Sequence, residues 1–134
     1  QARKHLSKSE YNYRIMQQLE QLKIYDWSLN IGFYAVYHCF LAILAKYGYF
    51  SKNQLCTVTC VLSLINENKL ELDKDLVLQF DTLDVEKELT SNTIRQKREV
   101  STYGVETSVN LDELKKLKEL IVKVQRETIR IVEL

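Results

Sequence analysis

At 134 residues the chain is long enough for one domain with a real core and too short to divide comfortably into two. Apolar residues make up 46% and charged residues 28%, a globular balance that excludes a disordered chain. Its 19 basic and 18 acidic side chains nearly cancel, so no overall field draws it to nucleic acid or to anionic lipid, and only a local patch could do so.

Proline is absent and the glycines are three, Gly32, Gly48 and Gly104, so the punctuation of strands and hairpins is missing and the chain reads as all-α, a single domain over residues 1–134. The N-terminus, QARKHLSKSE, has no apolar core region of the kind a secretory leader carries, and a cytoplasmic location is the expectation. Ser7 with Glu10 has capping-box spacing. The helix it opens carries Ile15, Met16, Leu19 and Leu22 on one side, with Arg14, Gln18 and Gln21 outside. The link Lys23 to Asp26 is short enough to force an antiparallel return.

Trp27 to Ala45, WSLNIGFYAVYHCFLAILA, follows without a formal charge. Phe33, Tyr37, Phe40, Leu44 and Tyr47 form one stripe at helical spacing, Tyr34, Leu41 and Ala45 lie beside it, and Val36 and Ile43 take the opposite side. A helix apolar nearly all round belongs at the centre of a bundle or in a membrane. Ser28, Asn30, Gly32 and His38 interrupt it, and charged segments follow that can cover it, so a bundle centre and no membrane contact are expected.

Gly48 stands where a left-handed residue would end this helix, and Ser51 with Gln54 repeats the capping pattern. Leu55, Val58, Leu62 and Ile65 then recur at three and four, with Cys56, Thr59 and Ser63 on the flank. Asn66 to Lys74 reads as a solvated connection, and a short helical piece with Leu76, Phe80 and Leu83 comes next. Asp84 to Glu99 reads as a polar helix whose apolar content is Val85, Leu89 and Ile94, with Ser91, Arg95, Arg98 and Thr102 along one face. Val100 to Val109, with its β-branched residues and Gly104, breaks the pattern. Asn110 with Glu113 then opens a last helix striped by Leu114, Leu117, Ile121, Val124, Thr128 and Ile131.

Among chemistry-bearing residues, His38 shares a face with Tyr34, Ile31 and Trp27 and reads either as a neutral, hydrogen-bonded core histidine or as a ligand-binding or catalytic group. The basic run IRQKR reads either as a solvated face or as an anion site. The three cysteines do not suggest a disulfide scaffold, because Cys39 sits inside the apolar helix. Cys56 and Cys60 lie one helical turn apart with no second ligand pair to complete a zinc site, so no metal is expected.

Taken together, NIGFYAVYHCFLAIL, the SKNQ that opens the next helix, and IRQKREVSTYG before a long amphipathic C-terminal helix resemble the HEPN superfamily of prokaryotic helical domains, over Ser7 to Val132. The resemblance implies an up-and-down bundle of four to five helices, a homodimer, and a minimal nucleotidyltransferase as partner in a toxin-antitoxin or defence type system. Active members are metal-independent ribonucleases that pair an arginine with a histidine a few residues later, across the dimer. That chemistry needs a base for the 2′-hydroxyl and a cation for the phosphate. Here Arg98 is followed, after four intervening positions, by Tyr103, and no histidine follows Arg95 or Arg98. A tyrosine with an ordinary pKa of about 10 is a poor base at neutral pH. The resemblance therefore implies a nuclease-silent binding module without cofactor or metal. In it Arg95 and Arg98 hold phosphate, Tyr103 stacks on a base or a partner surface or accepts an adenylyl group, and Tyr37 and His38 form the neighbouring wall. The ligand would be a nucleotide, an RNA end or the nucleotidyltransferase. The alternative is a surviving ribonuclease that uses Arg98 and His38.

Overall fold

A computed structural model describes residues 1–82 and 111–134. Among them are five helices and no strand, so the all-α expectation holds. The helices are α1 Ala2–Gln21, α2 Tyr25–Lys46, α3 Gln54–Asn66, α4 Lys74–Asp81 and α5 Leu111–Val132. Leu83, the expected polar helix, the segment around Gly104 and the Asn110 cap lie outside the described residues.

The uncharged segment becomes the hub. Ala35, Val36, Cys39, Phe40, Ala42, Ile43 and Leu44 of α2 are wholly buried, and α1, α3 and α5 pack around it. By length and composition α2 could cross a membrane, a test that the core helix of a soluble bundle passes equally. The stripe expected on α5 is buried at every position, Leu114, Leu117, Ile121, Val124, Thr128 and Ile131, and Leu120 joins it. The Thr128 hydroxyl is accommodated by donating to the Val124 carbonyl at 2.7 Å. Helix α5 runs antiparallel to α1, with Lys118 against Glu20 and Gln125 against Ser9, and parallel to α2, with Lys46 Nζ donating to the Val132 carbonyl.

Helix α1 departs from the expectation. It begins five residues before Ser7, so the Ser7–Glu10 spacing caps nothing, and Leu22 is 68% exposed. Its buried face is Ser9, Asn12 and Met16, two of them polar. Small residues on both helices allow close approach, and the hydroxyls find backbone acceptors: Ser9 donates to the Ala35 carbonyl at 2.6 Å and Ser28 to the Met16 carbonyl at 2.8 Å.

Three helices end in one way. After α1, α2 and α3 the chain turns through a left-handed residue, Lys23 (φ 61°), Gly48 (φ 81°) and Asn68 (φ 59°). In each the amide of the following residue bonds back to Leu19, Leu44 or Leu64 respectively, a Schellman closure. Gly48 fills the place expected of it, and Asn tolerates the conformation, but Lys23 pays a Cβ penalty there. Lys23→Gly is therefore expected to raise stability by about 1 kcal/mol, seen as a higher urea midpoint at unchanged slope. A lowered midpoint would show that the lysine side chain contributes more than its backbone costs.

Helix α3 is capped by Asn53, whose Oδ1 accepts the Cys56 amide at 2.8 Å, rather than by Ser51. Its inward face is also rotated from the expected one. Val58, Val61 and Leu64 are buried with Thr57, whereas Leu55 is exposed and Leu62 and Ile65 are half-buried. At the same helix end Thr57 Oγ1 donates to the Asn53 carbonyl at 2.9 Å, which satisfies this buried hydroxyl on the inward side, and Ser51 also bonds Thr57. The connection after α3 is not wholly solvated, since Leu70 and Leu72 are buried. The Tyr47 hydroxyl donates to the Lys69 carbonyl at 2.9 Å, returning the chain to the end of α2. From there α4, capped by Asp73, carries Leu76, Val77 and Phe80 into the core.

Candidate functional site

The two histidines of the chain meet. His5 of α1 and His38 of α2 approach Nδ1 to Nδ1 at 3.2 Å, with ring centroids 5.4 Å apart and planes 27° from parallel. The centroid separation exceeds the nitrogen separation by nearly two ring radii, the most that geometry allows, so each nitrogen points nearly straight at the other. One ring must then carry its proton on Nδ1 and the other its lone pair there. That is an N–H···N hydrogen bond, with room for a proton on the axis. A zinc ion would need further donors, and among the described residues no group of three His, Cys, Asp or Glu side chains is arranged to hold one.

The meeting is fixed by a buckle one turn away. Ser9, four residues after His5, donates to the Ala35 carbonyl, lies 3.1 Å from the thiol of Cys39, and accepts from Gln125 Nε2 at 3.1 Å. Burial pushes the Cys39 thiol up to about 11, so it stays protonated and serves as a donor. One hydroxyl thus makes one donation and two acceptances, its full capacity, and ties α1, α2 and α5 in register. The neighbours of Ser9 and Cys39, His5 and His38, are set opposite one another in consequence.

A run of rings extends from the pair. Tyr37 meets His38 edge-on at 6.0 Å, and Tyr34 meets Tyr37 at 6.4 Å. Behind them Phe80 stacks on Tyr37 and Phe33 supports Tyr34. His5, Tyr37 and His38 are half-buried, and Tyr34 is 38% exposed. Lys8 stands beside the ridge, near enough to act on His38 electrostatically, and its Nζ lies 5.0 Å over the Tyr11 ring. Exposed Lys4 lies one turn before Lys8 on the same edge of α1.

Burial, then the charges of His5 and Lys8, hold His38 at a pKa of about 4, and burial also lowers that of His5. Both imidazoles are neutral at pH 7. Because an unfolded histidine titrates near 6.5, the unfolded chain takes up protons below that pH while the native pair resists. Native stability is therefore expected to be full above pH 6.5 and to fall as the pH drops from there towards 4. Melting temperatures of the wild type and of His5→Gln/His38→Gln, compared across that window, should show the slope reduced in the variant. Parallel slopes would assign the acid sensitivity elsewhere.

Of the ligand-binding residues expected from the sequence, Tyr37 and His38 are brought together on this ridge, while Arg95, Arg98 and Tyr103 lie outside the described residues. His38 is not the isolated imidazole its local sequence suggests, because His5 lies against it. His5 and Lys8 belong to the same cluster and carry no such expectation from the sequence, while Tyr34 is expected on the face of His38 but not among the binding residues. A signal for His5 existed: reflection through the short α1–α2 link carries position 38 into the first turns of α1. Placing the helix start at Ser7 left His5 outside it. No family model matches the chain, and no curated protein matches it.

Proposed function

We propose that the chain is a HEPN-like helical binding module, non-catalytic, that takes the base and phosphate of a nucleotide or an RNA end and works as a cytoplasmic homodimer with a minimal nucleotidyltransferase of a toxin-antitoxin or defence type system. The observation that carries the reading is the half-exposed run His5–His38–Tyr37–Tyr34 flanked by Lys8. Rings at a surface give bases a stacking platform, and a neighbouring ammonium gives phosphate a charge-assisted contact. An all-helical core around the uncharged stretch Trp27–Ala45 of α2 agrees with the same family reading. Arg95 and Arg98 supply further cations in this proposal, and Tyr103 a further ring or a site of adenylyl transfer.

The test is a binding titration of mononucleotides and short single-stranded RNAs, with thermal shift as a second readout. Tyr34→Ala, at an exposed ring, is expected to weaken binding by about tenfold, the low end of what one stacked base contributes. Arg95→Ala with Arg98→Ala should remove the phosphate-dependent part. No saturable binding by any nucleotide or RNA would sink the ligand reading, and a concentration-independent monomer by light scattering would sink the dimer.

One observation favours the second reading, a metal-independent ribonuclease: His38 has a second imidazole against it, which the chain order conceals. A neutral His38 could accept the 2′-hydroxyl proton while Arg98 holds the phosphate, although a pKa of about 4 makes it a weak base. Cleavage of single-stranded RNA in chelator, lost in both His38→Gln and Arg98→Ala, would establish it. Intact RNA after long incubation would eliminate it.

A further inference from the structure

Away from the histidine ridge, α3 opens with two free thiols, Cys56 and Cys60, whose sulfurs lie 3.9 Å apart on successive turns. We propose that they form a two-thiolate site for a soft monovalent metal ion, copper(I) in class. Cys56 is the third residue of the helix, with its amide capped by Asn53 Oδ1 and Lys52 just before the helix.

Distances decide between the outcomes open to a thiol pair. A disulfide needs its Cβ atoms about 3.5–4.5 Å apart, whereas i,i+4 positions on a helix hold them at about 5–6 Å. Closing the bond would unwind the first turn of α3 and release its Asn53 cap. An ion with metal–sulfur bonds of about 2.3 Å spans sulfurs up to about 4.6 Å apart. A separation of 3.9 Å therefore accepts it with the helix intact, at an S–M–S angle of roughly 115° that rotation of two side chains can widen. Zinc would want four donors, and among the described residues no third ligand of the usual kinds joins the pair. The absent second ligand pair that argues against zinc does not argue against an ion content with two soft thiolates.

Binding proceeds as two thiols and one cation giving a bis-thiolate complex of single negative charge and two released protons. Lys52 and the helix N-terminus offset that charge. Cys56 deprotonates first: contacts to the Ser51 hydroxyl, the Lys52 amide and the Cys60 thiol hold it below the usual thiol range, while burial raises Cys60. The third thiol, Cys39, is wholly buried and remains protonated, so it does not compete.

The experiment is anaerobic titration of the reduced chain with copper(I) against a chromophoric copper(I) chelator, on the wild type, Cys56→Ser and Cys60→Ser. One ion per chain is expected, with unchanged helicity by circular dichroism. Each variant should lose about a hundredfold or more in affinity, since the second thiolate acts at the high effective concentration of a tethered ligand. Equal affinity in either serine variant, one ion shared by two chains, or zinc binding as tight as copper would overturn the proposal. Both variants replace partly exposed side chains, so their folding is checked by the same spectra.

Discussion

Phe80→Ala is expected to cost about 3–5 kcal/mol. Phe80 is wholly buried and makes the ring contacts of α4 with α2: it stacks on Phe33 at 5.0 Å and on Tyr37 at 6.3 Å, and meets Phe40 at 5.1 Å. An eight-residue helix cannot stand alone in water, so without that ring α4 depends on Leu76, Val77 and its packing on α3 and α5. Against a total stability of about 5–15 kcal/mol for a domain, such a loss is a large fraction. Urea unfolding measures it, with Phe80→Leu as the control that keeps most of the apolar volume and should lose under about 1.5 kcal/mol. A loss below 1 kcal/mol for alanine would mean that α4 does not lean on α2. Because Phe80 also backs Tyr37, the alanine variant should weaken ligand binding beyond what Tyr34→Ala does.

Gly32→Leu should be nearly as severe, about 3 kcal/mol or more. Gly32 lies where α1, α2 and α5 converge: a Cβ there would come within 2.7 Å of Met16 Sδ, 2.8 Å of its Cε and 2.9 Å of Leu117 Cδ2. Glycine inside a helix costs about 1 kcal/mol relative to alanine. Here the missing side chain is what lets three helices close. Alanine would recover that propensity and ask only that the Met16 and Leu117 tips give way, so Gly32→Ala should lose less than about 2 kcal/mol. Leucine adds three more atoms among side chains that have no solvent to turn into. A double-mutant cycle makes the claim specific: Met16→Ala should recover at least about 1 kcal/mol of the Gly32→Leu loss, and strict additivity would refute the shared contact.

Much of the architecture was legible beforehand. The helical class, the central position of Trp27 to Ala45 and the inward face of the last helix all follow from periodicity, because each is an apolar pattern strong enough to fix an orientation without knowing the partner. Gly48 was legible for a different reason: a glycine just past an apolar run is the cheapest left-handed terminator. Lys23 and Asn68 take the same conformation, but side chains that tolerate a turn less well give no warning of it. Leu22 and Leu55 misled because hydrophobicity alone does not choose between a buried and an exposed edge of a stripe.

Two sites lay at different depths. The thiol pair was visible as a spacing of four, since a helix brings such residues together whatever surrounds it. The histidine pair was not, because residues 33 apart in sequence meet only if two helices stop sliding at a given register. That register is set by the Ser9 hydroxyl, Ala35, Gly32 and Ser28, small or polar positions that an apolar count passes over. By itself the sequence determined the kind of element and the greasiest face of each, properties of one helix at a time. The tertiary structure alone decided which polar groups go inside and which rings touch, because a buried hydroxyl or imidazole is affordable only when a particular neighbour supplies the matching donor or acceptor.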